Sequence, residues 1–127
     1  MSKMPLQTIT IEGSRINDIA SFYDEINRVF MAESDWHLGQ SLDALNDMLY
    51  GFHNITIIWN DARHSKTALG YAVTRQHYLH KLKSPDRYNI KKISADLAML
   101  DAGTGPTYFE IVTNIIALHT SIQLRLL

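Results

Sequence analysis

An α/β fold, a small parallel sheet wrapped by helices, is predicted by three features of the sequence. Short β-branched runs recur at Leu6–Ile11, Ile55–Trp59 and Ser121–Leu127. Between them lie long stretches with apolar residues at three-and-four spacing, the helical crossovers that parallel strands require. The middle run is apolar at successive positions, as a central strand covered on both faces should be. With 127 residues, 46% of them hydrophobic, the chain suits a single domain, 1–127, with a substantial core.

The elements follow in order. Thr8, Ile9, Thr10 and Ile11 form an extended run that stops at Glu12-Gly13, a strand and a turn. A helix comes next, capped by Asn17 or Asp18, with Ile19, Phe22, Tyr23, Ile26, Val29 and Phe30 on one face. Those aromatics read as core and not as cofactor contacts. A short helix is predicted within Gln40–Phe52, and Ile55–Trp59 is the central strand. Leu69, Val73, Leu79 and Leu82 then predict a helix as far as Ser84-Pro85, and Ile90, Ile93, Leu97 and Leu100 a second as far as Gly103. Thr107 with Glu110 three residues later has the form of a capping box for a helix carrying Ile111, Ile115 and Leu118. The last strand puts Ile122, Leu124 and Leu126 on one side.

Gln40–Phe52 has two faces that demand different surroundings. At 100° per residue Leu42, Leu45, Leu49 and Phe52 share a stripe with Met48 at its edge, while Asp43, Asn46, Asp47 and Tyr50 fall opposite. Asp43 and Asp47 are four apart, and like charges so spaced cost an exposed helix about 0.2–0.5 kcal/mol. Asp43 gains from the helix dipole in the first turn, and Asp47 gains little. The bland reading is a solvated face. Against it stands the wider pattern: from Val29 to Ala62 the acids Glu33, Asp35, Asp43, Asp47 and Asp61 have no Lys or Arg among them. A field of one sign is maintained, and its natural partner is cationic.

The run Gly39-x-x-Leu42-Asp43-Ala44-Leu45-x-Asp47-x-Leu49-x-Gly51, followed by Phe52, resembles the barstar family of ribonuclease inhibitors, which includes immunity proteins that neutralise a toxin nuclease. A shorter echo is the strand ending in Trp59 and followed by Ser65-Lys66. The resemblance implies a three-stranded parallel sheet packed with helices, and a protein that is not an enzyme and needs no cofactor. In that family the acidic helix and the loop before it plug the active site of a ribonuclease, with aspartates where RNA phosphates would lie. The implied carboxylates here are Asp47, the central hot spot, and Asp43. The implied loop is Trp36, His37, Leu38 and Gly39, and Asn46, Tyr50, Gly51 and Phe52 complete the surface. The expected partner is a basic ribonuclease. Two departures imply a different nuclease surface: His37 and Leu38 stand where the family often has tyrosines, and Asn46 where it has an aromatic. A further family acid would fall near Asn114, so that contact is expected to be missing unless Glu110, one turn earlier, replaces it. Longer relatives share an added helical segment, here about 63–105, and a Gly-Pro-Thr-Tyr-Phe-acid run, here Gly105–Glu110.

Arg63–Lys92 carries eight bases against one acid, Asp86, so the net charge of −1 hides a strong dipole. Three readings of these bases stay open. They solvate amphipathic helices, they bind RNA with Tyr71, Tyr78 and Tyr88 stacking on bases, or they meet the acidic helix of another copy. The alternative function is a non-inhibitory binding or regulatory module on the same fold, its basic insert contacting RNA or a partner protein; direct nucleic-acid binding is not the expected reading. His77 and His80 share a helical face, but the cations around them would repel a metal, and surface histidines are expected. Asp43 and Asp47 could pair for acid/base chemistry or a cation. No His-Glu-x-x-His, Gly-x-Ser-x-Gly, Walker loop or metal loop accompanies them. Zero cysteines exclude disulfides and thiol chemistry. Neither a signal-peptide core nor a membrane span is apparent, so a cytoplasmic location is expected.

Overall fold

The computed structural model describes residues 7–127; Leu6, the first residue of the predicted opening strand, lies outside them. Strand β1 (Gln7–Glu12) is followed by a 3-10 turn at Gly13–Arg15, then α1 (Ile19–Phe30), α2 (Leu42–Leu49), β2 (Ile55–Asn60), α3 (Ala62–Ala68), α4 (Tyr71–Lys81), α5 (Ile90–Asp101), α6 (Tyr108–Leu118) and β3 (Ile122–Leu126). The sheet order is β1-β2-β3 with both pairs parallel, Ile9 beside Ile57 and Ile57 beside Leu124. The α/β class, three-stranded sheet and central position of β2 match the expectation.

Coverage of the sheet does not. Ile9, Ile11, Ile55, Ile57, Trp59 and Ile122 are buried on one face, in a single cluster with Phe22, Ile26, Leu45, Leu49, Phe109, Val112 and Ile116 of the helices. On the other face Thr10, Thr56 and Ile58 are half-buried, and Thr8, Gln123 and Arg125 are exposed. The helices bury one side, and the flanking strands carry polar residues on the other, where β-branched Thr10 and Thr56 fit a pleated surface open to water.

Local capping explains where the main helices start. Asp18, not Asn17, caps α1, accepting from the Ser21 N–H at 2.8 Å in a reciprocal box. Thr107 and Glu110 form the predicted box at α6. The buried face of α6, however, is Tyr108, Phe109, Val112 and Ile116. Ile111 and Ile115 are only half-buried, and Leu118 is 79% exposed. Aromatic bulk decides the rotation. Tyr108 presents its edge to Phe22, Phe109 its edge to Trp59, and the Tyr108 and Tyr23 hydroxyls meet at 2.7 Å.

The helix predicted from Leu69 as far as Ser84-Pro85 is α4, and a short helix that was not predicted, α3, precedes it; the two are separated by a break at Leu69-Gly70. The break frees the Leu69 carbonyl to accept from the Phe109 N–H at 3.1 Å, while Thr74 Oγ1 accepts from the Tyr108 N–H at 2.7 Å. Two orphan donors at the start of α6 are thereby satisfied. The inward face of α4 accordingly carries Thr74 and Tyr78, and Leu79 is only half-buried. Tyr78 joins Ile93 and Leu100 in a second, smaller core that makes α4 and α5 a helical hairpin. The Trp59…Ser65 echo has a physical role: the Trp59 indole N–H donates to Ser65 Oγ at 2.9 Å, and Ser65 Oγ donates to the Gly13 carbonyl at 3.1 Å. A Cβ on Gly13 would collide with the Asn60 and Asp61 carbonyls and with Ser65 Oγ, so only glycine fits this corner.

Candidate partner-binding surface

Helix α2 is short, begins at Leu42, and is capped by Ser41 Oγ accepting from the Ala44 N–H at 3.1 Å. Its apolar stripe folds as predicted: Leu45, Met48 and Leu49 are buried, and Leu42 and Phe52 pack half-buried against the main core. Phe52 meets Phe30 edge-on at 5.1 Å, which commits its ring to the protein's own core. The helix therefore has one orientation, and Asp43 and Asp47 face solvent. Among the described residues neither makes an ion pair.

The loop residues divide. Trp36, 53% exposed, and His37 and Gly39 stand outward, whereas Leu38 is 5% exposed and packs in the core. Its side chain has no surface to offer a partner; its backbone anchors the loop instead. The Asn27 side chain on α1 accepts from the Leu38 N–H at 2.7 Å and donates to the Leu38 carbonyl at 3.0 Å. A Cβ on Gly39 would meet no atom within 4 Å, and its φ lies outside the left-handed region, so the fold itself sets no need for glycine there. Gly51 closes the helix, its N–H donating to the Met48 carbonyl at 3.0 Å.

Asn46 and Tyr50 are held from α6. Asn46 Oδ1 and His119 Nε2 are 2.8 Å apart, and Tyr50, 64% exposed, meets the His119 ring edge-on at 4.6 Å. His119 is buried at the C-terminal cap of α6 and braces the far end of α2. Asn27 and His119 were not legible as site residues, because each acts on α2 or its loop from a distant segment. The one available hint at Asn27 was a polar residue beside the apolar stripe of α1. Asn114 is exposed on α6, and Glu110 accepts from the Thr107 N–H at 2.9 Å as part of its own helix cap.

The insert departs from the surface-histidine expectation at one position. His77 is half-buried, edge-on to Tyr108 at 5.2 Å. Burial, with Lys81 and His80 adding their charge, pushes its imidazole down to about 4. Tyr78 is buried and cannot stack on a base; Arg75 pairs with Asp101 and Lys92 with Asp96. Part of the cationic charge is thus spent within the hairpin. Among the described residues no group of three histidines or acids could hold a metal ion, and no helix is long and apolar enough to cross a membrane.

The remaining surface is an acidic, partly aromatic ridge on a rigid helix, suited to binding a cationic pocket. A family model described as Barstar (barnase inhibitor) matches residues 6–84. No curated protein matches the chain. The match covers well over half of the 127 residues, including the whole of α2, its loop and the central strand, and the parallel three-stranded sheet agrees with it: the chain belongs to the barstar family.

Proposed function

We propose that this protein inhibits a basic ribonuclease of the barnase type, inserting α2 and the Trp36–Gly39 loop into the active site so that Asp43 and Asp47 occupy phosphate positions. The observation that carries the reading is the pair of unpaired, outward carboxylates on a helix whose opposite face is locked into the core. Such a pair is mildly destabilising in the free protein, which suits a surface whose counter-charge arrives with a partner. Family membership supports the same reading, since the family is one of barnase inhibitors. Preorganisation supports it too: the loop is tied through Leu38 and α2 through His119, so little conformational freedom is lost on docking. The test is RNA cleavage by a panel of basic barnase-type ribonucleases titrated with this protein. Stoichiometric loss of cleavage for at least one of them is expected; full activity of every one in tenfold excess of inhibitor overturns the proposal.

A further inference from the structure

Two hollows adjoin along α4, sharing Gln40 and His77: one of about 440 Å³ between α4 and the start of α1, and one of about 400 Å³ between α4 and the opening turn of α2. The second has walls of opposite charge. Ser41, Leu42 and Asp43 form one side, and His77, Lys81 and Tyr88 the other. Lys81 Nζ lies 5.1 Å over the Tyr88 ring, which the Arg87 guanidinium also approaches at 5.6 Å. Among the described residues Lys81 makes no ion pair, unlike Arg75 and Lys92 of the same hairpin. Burial and then Lys92 lower its pKa, while Asp43 and Asp96 act in the opposite direction. Asp43 and Lys81 therefore feel each other across the cleft without closing it.

We infer that this cleft is the second half of the nuclease-binding surface and takes a partner segment that bears a carboxylate beside a basic side chain, the carboxylate facing Lys81 and the base facing Asp43. The inference rests on the inhibitor reading of α2. Charge decides the occupant. A polyanion such as RNA would bring phosphates against Asp43, and a purely basic segment would be repelled by Lys81; a segment of mixed sign satisfies both walls. The cleft is continuous with α2 through Asp43, so a nuclease seated on the aspartates lies beside it. Lys81 is half-buried, which leaves it less screened than the exposed bases of the insert. The α4–α5 hairpin would then discriminate among nucleases, because it rejects those lacking an acid at that point.

The test turns on the sign of one substitution. By the general field alone, Lys81→Glu makes the face more acidic and should strengthen inhibition of a basic ribonuclease. The cleft predicts the reverse: for the ribonuclease that the unaltered protein inhibits, Lys81→Glu weakens inhibition about tenfold or more. Lys81→Met weakens it less, and Lys91→Glu, on α5 outside the cleft lining, does not weaken it. Thermal melts of each variant separate loss of contact from loss of fold. If Asp47→Ala abolishes inhibition while Lys81→Glu and Lys81→Met inhibit as well as the parent or better, the cleft inference is overturned and the inhibitor reading stands. If the parent inhibits no ribonuclease of the panel, both fall together. Filter retention of generic RNA, or a salt-sensitive dimer in light scattering, that disappears in Lys81→Glu while inhibition is unchanged would hand the cleft to RNA or to a second copy and overturn it as well.

Discussion

The side-chain amide of Asn27 brackets the backbone of Leu38, accepting from its N–H at 2.7 Å and donating to its carbonyl at 3.0 Å. One residue of α1 thus does for the loop what a neighbouring strand would do. Asn27→Ala strands a part-buried N–H and carbonyl at a cost of about 1–3 kcal/mol. The denaturant midpoint should fall accordingly. Because the loop must then be ordered on docking, inhibition of the target ribonuclease should weaken beyond what the population of folded protein explains. An unchanged inhibition constant, after correction for folded fraction, would show that the bracket serves stability alone.

Asp47→Ala should weaken inhibition by the equivalent of about 1.5–7 kcal/mol, the range known for close charge pairs in barnase–barstar, the best-known inhibitor–nuclease pair of this family. Its stability should hold or rise by about 0.2–0.5 kcal/mol, since a like-charge contact with Asp43 is relieved. Asp96→Ala is the control. It breaks an exposed pair with Lys92 on α5, worth about 0.3–0.5 kcal/mol, and should leave inhibition alone. Equal losses of inhibition in the two variants would refute the interface. The association rate of the unaltered protein should also fall with added salt, and a flat dependence in stopped flow would remove charge as the guide.

Gly39→Ala separates fold from function. Nothing in the protein stands where the new methyl would go, and the backbone there tolerates a side chain. Loss of unfolded-state freedom should raise stability by about 0.4–1 kcal/mol. Inhibition should nevertheless weaken, because the methyl projects from the loop that would lie against the nuclease in the proposed complex. A variant both more stable and equally inhibitory would place Gly39 outside the contact.

Acid should weaken the fold in two windows. Folding disfavours a proton on His77, whose value falls from 6.5 to about 4, so its contribution is whole above 6.5 and drains as pH falls towards 4. Glu25, 2% exposed, behaves differently. Burial alone would raise its carboxyl, but hydrogen bonds from Arg28 and from the Glu12 N–H, with the charges of Arg28 and Arg15, outweigh it and lower the value below 4.5. Its stabilisation is complete above 4.5 and is lost as pH falls through the lowered value. Urea midpoints across pH should show the upper slope removed by His77→Phe and the lower one by Glu25→Gln. The latter should also cost on the order of 2–3 kcal/mol at neutral pH, because it breaks the Arg28 pairing. A midpoint constant between pH 6.5 and 4.5 in the parent would contradict the His77 assignment.

What the sequence determined by itself was local. Asp18 and Thr107 cap helices within three residues of themselves, and β-branched runs announce strands. The stripe Leu42, Leu45, Leu49 sets which way α2 turns, and with it the outward stance of Asp43 and Asp47. Each of these depends on neighbours along the chain, so each can be read there. The tertiary structure decided what depends on partners far apart: the break at Leu69-Gly70 that feeds donors at the start of α6, the rotation of α6 onto Phe22 and Trp59, and the open outer face of the sheet. It also decided the burial of Leu38 with its backbone held by Asn27, the brace of His119 on Asn46, and the placing of Asp43 opposite Lys81 across a cleft. Periodicity fixes the phase of one element, but which residues meet across elements is set by close packing of the whole core, which no single stretch of the chain encodes.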